Sequence, residues 1–171
     1  MQSADYSDYE KPSFVVDLNK PVDQSLHSKF DFIFDGGTIE HVFNVPVAFA
    51  SVFDMLQPGG TFVTVNGLNS FWAHGMYQFG PELIYSYWKR AKGCVVERCR
   101  AVPTNPDFRS IDLPDPEDVG GRLQHLHSTF PKGSVYLYAE IRKGVDTTLK
   151  TQTEAYQSDY VSTWKSKGEG A

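Results

Sequence analysis

The stretch FDFIFDGGTIEHVF, residues 30–43, decides how the rest of the chain is read. It opens as an apolar strand, breaks at Asp35-Gly36-Gly37, and continues as a helical pattern carrying Glu40 and His41. A nearly continuous apolar run predicts a central strand covered on both faces. An acid, two glycines, a second acid and a histidine at its carboxyl end are more than packing requires.

Working outward, Val42, Val45, Phe49, Val52, Phe53 and Leu56 recur at helical spacing. They predict one helix from Thr38 or Ile39 to Leu56, with Pro46 in its first turns. Gln57-Pro58-Gly59-Gly60 stops that helix, and residues 61–65 (TFVTV) read as the next strand. Strand, helix and strand joined by short loops form a βαβ crossover with parallel strands. Residues 13–17 read as a short strand before a turn at Asn19-Lys20-Pro21. Pro81 opens a second helix reaching Arg90. Strands follow at residues 94–102, 123–127 and 135–142, with a turn at Pro131-Lys132-Gly133. The fold class is therefore α/β with a mainly parallel sheet. Sheets of that kind bind ligands beyond the carboxyl ends of their strands. Asp17-Leu18-Asn19, Asp35-Gly36-Gly37 and Asn66-Gly67 all fall at such ends.

The bulk properties narrow the setting. A chain of 171 residues is long enough for one domain with a substantial core. A formal charge of -5 argues against nucleic acid as a partner. No run approaches the ~18 apolar residues of a membrane span, and the polar, acidic first twenty residues do not resemble a signal peptide. Cys94 and Cys99 have an odd spacing that points them to opposite faces of a strand, disfavouring a disulfide or a metal pair. Two such thiols suit a reducing, cytoplasmic compartment. Residues 1–145 read as the domain. Residues 146–171 read as a polar tail, partly helical or disordered, with Tyr156, Tyr160 and Trp164 at intervals of four.

Single residues at the strand ends leave two readings open. Gly36-Gly37 eases a tight turn or lets a ligand approach the backbone. Asp17 caps its own turn or accepts from a ligand amine. His41 is a structural hydrogen-bond partner or a base, and Glu40 favours a helix N-terminus electrostatically. His125 and His127 share a strand face but make a weak metal pair. No HxxxH, HExxH or CxxC spacing occurs, so no metal is expected. The loop over residues 103–121, with its many acids, reads as a solvated connection or as a rim of substrate entry.

In this order, these residues resemble a class I S-adenosylmethionine-dependent methyltransferase. In Asp5-Tyr6-Ser7-Asp8-Tyr9-Glu10 the leading acid looks like the one that ends the second strand of that fold and holds the ribose hydroxyls. Asp17-Leu18-Asn19 looks like the next strand end, contacting the adenine amino group. FDFIFDGGTIEHVF is similar to the fourth strand and its helix, placing Asp35, Gly36 and Gly37 beside the methionine part. Leu56-Gln57-Pro58-Gly59-Gly60 is similar to the turn before the fifth strand. A narrower match lies in residues 66–85, NGLNSFWAHGMYQFGPELIY. This stretch resembles the GHGFYQFSPE segment of a subgroup of bacterial methyltransferases, with Ala73 in place of the first glycine, Met76 of a phenylalanine and Gly80 of a serine. His74, Tyr77 and Gln78 put hydrogen-bonding groups among aromatic walls, suited to a small polar acceptor.

The resemblance implies a Rossmann-like methyltransferase fold with an antiparallel last strand, and S-adenosyl-L-methionine as cofactor. His41 or His74 would be the base. Glu40, Tyr77, Gln78 and Phe79 would face a small-molecule acceptor methylated at oxygen or nitrogen. The first strand and glycine-rich loop of that fold have no counterpart in the sequence, so an N-terminally truncated, weak or inactive fragment is expected. The gap leaves an exposed sheet edge prone to self-association. The rival reading is a non-catalytic binding domain that has lost the cofactor.

Overall fold

A computed structural model describes residues 1–119, 123, 130, 133–146 and 151–168. The chain forms an α/β fold with two sheets. β1 (Ala4–Asp5) and β2 (Phe14–Val15) make a small parallel pair. The main sheet is built from β3 (Phe30–Asp35), β4 (Leu56–Asn69), β5 (Val95–Pro103), β6 (Ile111–Asp112) and β7 (Val135–Arg142). Its spatial order is β3-β4-β7-β5-β6. The helices are α1 (Val45–Met55), α2 and α3 (Ser158–Ser166). α2 begins with Pro81–Leu83 and widens into a π-helix over Ile84–Ala91.

The crossover through α1 makes β3 and β4 parallel, as the sequence pattern requires. The expectation of a mainly parallel sheet holds only in part. β7 runs antiparallel, and it lies between β4 and β5 rather than at an edge. β3, β4 and β5 share one direction, yet among the described residues one ladder of the main sheet is parallel, because β6 also pairs antiparallel to β5. β4 is longer than residues 61–65. Its register shifts between the pairs Phe30–Leu56 and Phe32–Thr61, so Gln57-Pro58-Gly59-Gly60 bulges within the strand.

The single helix expected from Thr38 to Leu56 is two elements. A 3₁₀ turn covers Ile39–His41, and α1 starts only at Val45. Pro46 gives the reason. Inside a continuous helix it would remove a hydrogen bond and its ring would strike the carbonyl of Val42, whereas at the start it costs neither. Asn44, at the cap, turns its side-chain amide to the Asn19 carbonyl (3.3 Å). The other end of α1 stops where expected, and Lys143 donates to the carbonyls of Phe53 (2.7 Å) and Leu56 (2.8 Å).

Both α1 and α2 cover one face of the sheet. Phe49 of α1 and Trp88 of α2 lie 5.4 Å apart between ring centroids, and Trp88 packs at a tilt 5.1 Å from Phe62 of β4. Across the register, Ile33, Phe62, Ile141, Ala139, Cys99 and Ala101 share this covered side. The opposite face is not covered by the described residues. Phe32 is 54% exposed and Phe34 61%. The expectation that β3 is sealed on both sides is therefore corrected: alternate residues of the apolar run face solvent. On the same open face, β5 and β7 carry ion pairs instead, Arg98–Glu140 (3.3 Å) and Arg142–Glu97 (2.7 Å). Among the described residues β3 pairs with β4 alone, so its outer edge is unpaired.

The placement of the cysteines on opposite faces of one strand is corrected: Cys94 precedes β5, a register shift lies between Val96 and Arg98, and both thiols are free and buried. Burial pushes the Cys94 thiol up to about 11 and that of Cys99 to about 12, which makes them poor nucleophiles. In the acidic loop, Asp115 is buried, not solvated. Burial alone would raise its carboxyl, but hydrogen bonds from Lys89 (2.7 Å) and Arg90 (2.8 Å) hold it below its ordinary value. α3 is tied to α2 where the backbone N–H and hydroxyl of Ser158 donate to Glu82 (2.7 and 2.9 Å). The expected strand at residues 123–127 lies outside the described residues except for Leu123, as do His125, His127 and the Pro131-Lys132 part of the turn.

Candidate functional site

At the carboxyl ends of β3 and β4 a set of side chains is fixed by buried hydrogen bonds. Asp35, the last residue of β3, accepts from the backbone of Thr38 (2.8 Å) and Ile39 (3.2 Å) through Oδ1. Its Oδ2 accepts from Thr64 Oγ1 (2.8 Å) and Asn66 Nδ2 (2.7 Å) on β4. One carboxylate thus clamps the turn to the neighbouring strand. Gly37 lies in that turn with φ of +95°, a conformation that favours glycine.

Asn66 passes the connection onward, its Oδ1 accepting from the Glu40 N–H (3.2 Å). Glu40 is 1% exposed. Its Oε2 accepts from the Gly67 N–H (2.5 Å), while Oε1 meets Nε2 of His74 at 3.1 Å and Nε2 of His41 at 3.7 Å. The two imidazoles lie edge to face with centroids 5.2 Å apart, and Phe71 packs 5.5 Å from His74. Both histidines are about half exposed, so a buried carboxylate supports a wet pair of rings. The Glu40 carbonyl also accepts from Met76 (2.9 Å) and Tyr77 (3.2 Å), which pins the loop after β4 onto this turn.

Two glycines make room for this approach: Gly67, expected at a ligand-binding strand end, and Gly75, to which the sequence assigned no role in the site. A Cβ on Gly67 would sit 3.1 Å from Glu40 Oε2, and one on Gly75 would sit 3.0 Å from the Glu40 carbonyl. The pairing of His74 with Glu40 was likewise not foreseen, because the two are joined only through this loop. The loop bends at Ser70 (φ 62°) and Ala73 (φ 57°), left-handed conformations taken by residues that pay for them sterically. Ala73→Gly is expected to stabilise the protein by about 0.5–1 kcal/mol, and Ala73→Val to destabilise it, in urea unfolding.

The other expected site residues are placed as follows. The Tyr77 hydroxyl donates to the Phe43 carbonyl (2.9 Å). Gln78 Oε1 accepts from the Phe71 N–H (3.2 Å). Phe79 is in the core, packed between Phe49 and Tyr77. Asp5 and Asp17 stand at the carboxyl ends of two paired strands, with Val16 N–H donating to the Asp5 carbonyl (2.8 Å). Asp17 is held below the usual carboxylate range by Lys20 and by the backbone and side chain of Asn19. Leu18 packs partly against the core. The turn that follows reaches α1 through Asn19 Oδ1, which accepts from the Asn44 N–H (3.1 Å).

Comparison with solved structures places this arrangement. The chain is similar to the 4+2 cyclase SpnF, with a TM-score of 0.51 and 15% identity over 81% of this chain and 58% of that one. The two share an α/β fold. A second structure, from work on the conversion of a disulfide bond into a thioacetal group in echinomycin biosynthesis, matches with a TM-score of 0.41 and 10% identity. It covers 96% of this chain and 65% of that one. The chain therefore spans less than two thirds of the length of either. No family model matches the sequence, and no curated protein does. Among the described residues, no helix is long and apolar enough to cross a membrane.

Proposed function

We propose that this chain forms part of a cleft for S-adenosyl-L-methionine and serves methyl transfer to a small polar acceptor at oxygen or nitrogen. The observation that carries the reading is that acids stand at or just past the carboxyl ends of parallel strands. Asp5 ends β1, Asp17 follows the paired β2 by two residues, and Asp35-Gly36-Gly37 closes β3 beside the Glu40–histidine cluster. The α/β fold shared with SpnF supports it without establishing the reaction.

The residues present fit the adenosine half of the cofactor. Asp5 would accept from the ribose hydroxyls and Asp17 from the adenine amino group, both acids being partly exposed at the ends of β1 and β2. For the methionine half the chain offers the backbone of Gly36 and Gly37, with Asp35 ordering their turn rather than reaching outward. The unpaired edge of β3 is where a further strand with a glycine-rich loop would complete the cleft, and it is equally suited to self-association. S-adenosylmethionine supplies an electrophilic methyl group. His41 or His74 would take the proton of an acceptor hydroxyl, while Glu40 fixes the rings and Tyr77 and Gln78 border the acceptor.

A titration followed by two-dimensional NMR tests this. S-adenosylhomocysteine and adenosine are expected to bind weakly and with similar affinity, because both present the half for which residues exist. Shifts should gather at Asp5, Asp17 to Asn19, and Gly36 to Gly37. Asp17→Ala should weaken binding at least tenfold, the loss of a charge-assisted hydrogen bond of about 1.5–3 kcal/mol. Shifts confined to other regions, or binding indifferent to Asp17→Ala, would defeat the proposal.

A further inference from the structure

The chemistry gathered around Glu40 exceeds what a proton acceptor requires. Glu40, His41 and His74 each offer one donor atom, a carboxylate oxygen or a ring nitrogen, and these atoms all lie within 4.8 Å of one another. The two distances from Oε1 are 3.1 and 3.7 Å. Ligands bonded to one zinc at about 2.0–2.1 Å stand roughly 3.3 Å from each other in a tetrahedral arrangement. The two distances from Oε1 bracket that value, and the exposed imidazoles can turn to bring their nitrogens to one ion.

The supporting geometry has the same character. The Glu40 carboxylate is buried and its second oxygen is held by the Gly67 N–H, which fixes the orientation of the first. Both imidazoles present Nε2 to that oxygen from the solvent side. Three protein ligands with solvent on the remaining side leave coordination positions for water or a substrate oxygen. Two imidazoles with one carboxylate suit borderline divalent ions, whereas magnesium and calcium prefer oxygen ligands.

We propose that Glu40, His41 and His74 form a three-ligand site for a divalent transition metal of the zinc, cobalt or nickel type, open to an oxygen ligand from solution. The site rests on this geometry and not on the methyl-transfer reading. With a metal in place, His41 and His74 are ligands and no longer available as bases.

The test uses the whole chain, stripped of metal with a chelator, and the metal alone. Zinc binding is followed by calorimetry and cobalt binding by its visible absorption. One equivalent is expected to bind with micromolar or tighter affinity, and cobalt should develop ligand-field bands. His41→Ala, His74→Ala and Glu40→Gln should each weaken binding at least about 100-fold. His27→Ala, at a distant exposed turn, should leave it unchanged. The exposed histidines can be removed without opening the core, so circular dichroism should show folded variants. Absence of binding below about 100 μM, or binding that survives His41→Ala with His74→Ala, would overturn the proposal. Neither result bears on whether the chain binds S-adenosylhomocysteine.

Discussion

Asp35→Ala is expected to lower stability by at least about 3 kcal/mol. The carboxylate is buried and receives four hydrogen bonds, two from the turn after β3 and two from β4. Its removal leaves the buried Ile39 N–H without this acceptor and takes one hydrogen bond each from the Thr38 N–H, the Thr64 hydroxyl and the Asn66 amide. The loss should appear as a fall in melting temperature of roughly 6–12 °C for a chain of this size. Asp35→Asn keeps one acceptor but turns an NH₂ group toward existing donors, so an intermediate loss is expected. It also gives a measurable variant should alanine prevent folding. Urea midpoints within about 0.5 kcal/mol of the parent for both variants would show that the clamp does not hold the turn.

Trp88→Ala should cost about 3–5 kcal/mol, the range for deleting a large buried aromatic. The indole is fully buried and touches Phe49 of α1, Phe62 of β4 and its neighbour Tyr87. It therefore joins both helices to the one face they cover. Trp88→Phe is expected to cost much less. It keeps an aromatic ring in place and removes an indole N–H that has no hydrogen-bond partner among the described residues. Equal losses for the two variants in urea unfolding would mean that the indole's size is not what the site requires.

Much of the fold was legible because its signals are local. The apolar run of residues 30–34, the helical spacing from Val42 to Leu56 and the Pro58-Gly59-Gly60 turn each act within a few residues, and together they dictate a parallel crossover. Pro46 was visible too, but whether a proline opens a helix or interrupts one depends on the backbone before it. What a pattern cannot carry is the other side of a strand. Phe32 and Phe34 have the same composition as buried residues, and their exposure depends on which helices lie over them. The strand-end cluster was partly legible, since Asp35, Glu40 and His41 are neighbours. His74 reaches Glu40 through a loop whose left-handed bends fall on Ser70 and Ala73, and local turn signals do not say which distant side chain a loop delivers.

The face of the sheet that the described residues leave open is not uniform across its width. Its β3 side presents Phe32 and Phe34, while its β5 and β7 side presents cross-strand ion pairs. A layer added to this face would gain by covering the aromatic half and lose by dehydrating the ionic half. The sequence has thereby written a boundary across one sheet face. A covering element the width of one helix, lying along β3, satisfies it, whereas a second sheet stacked across all five strands does not.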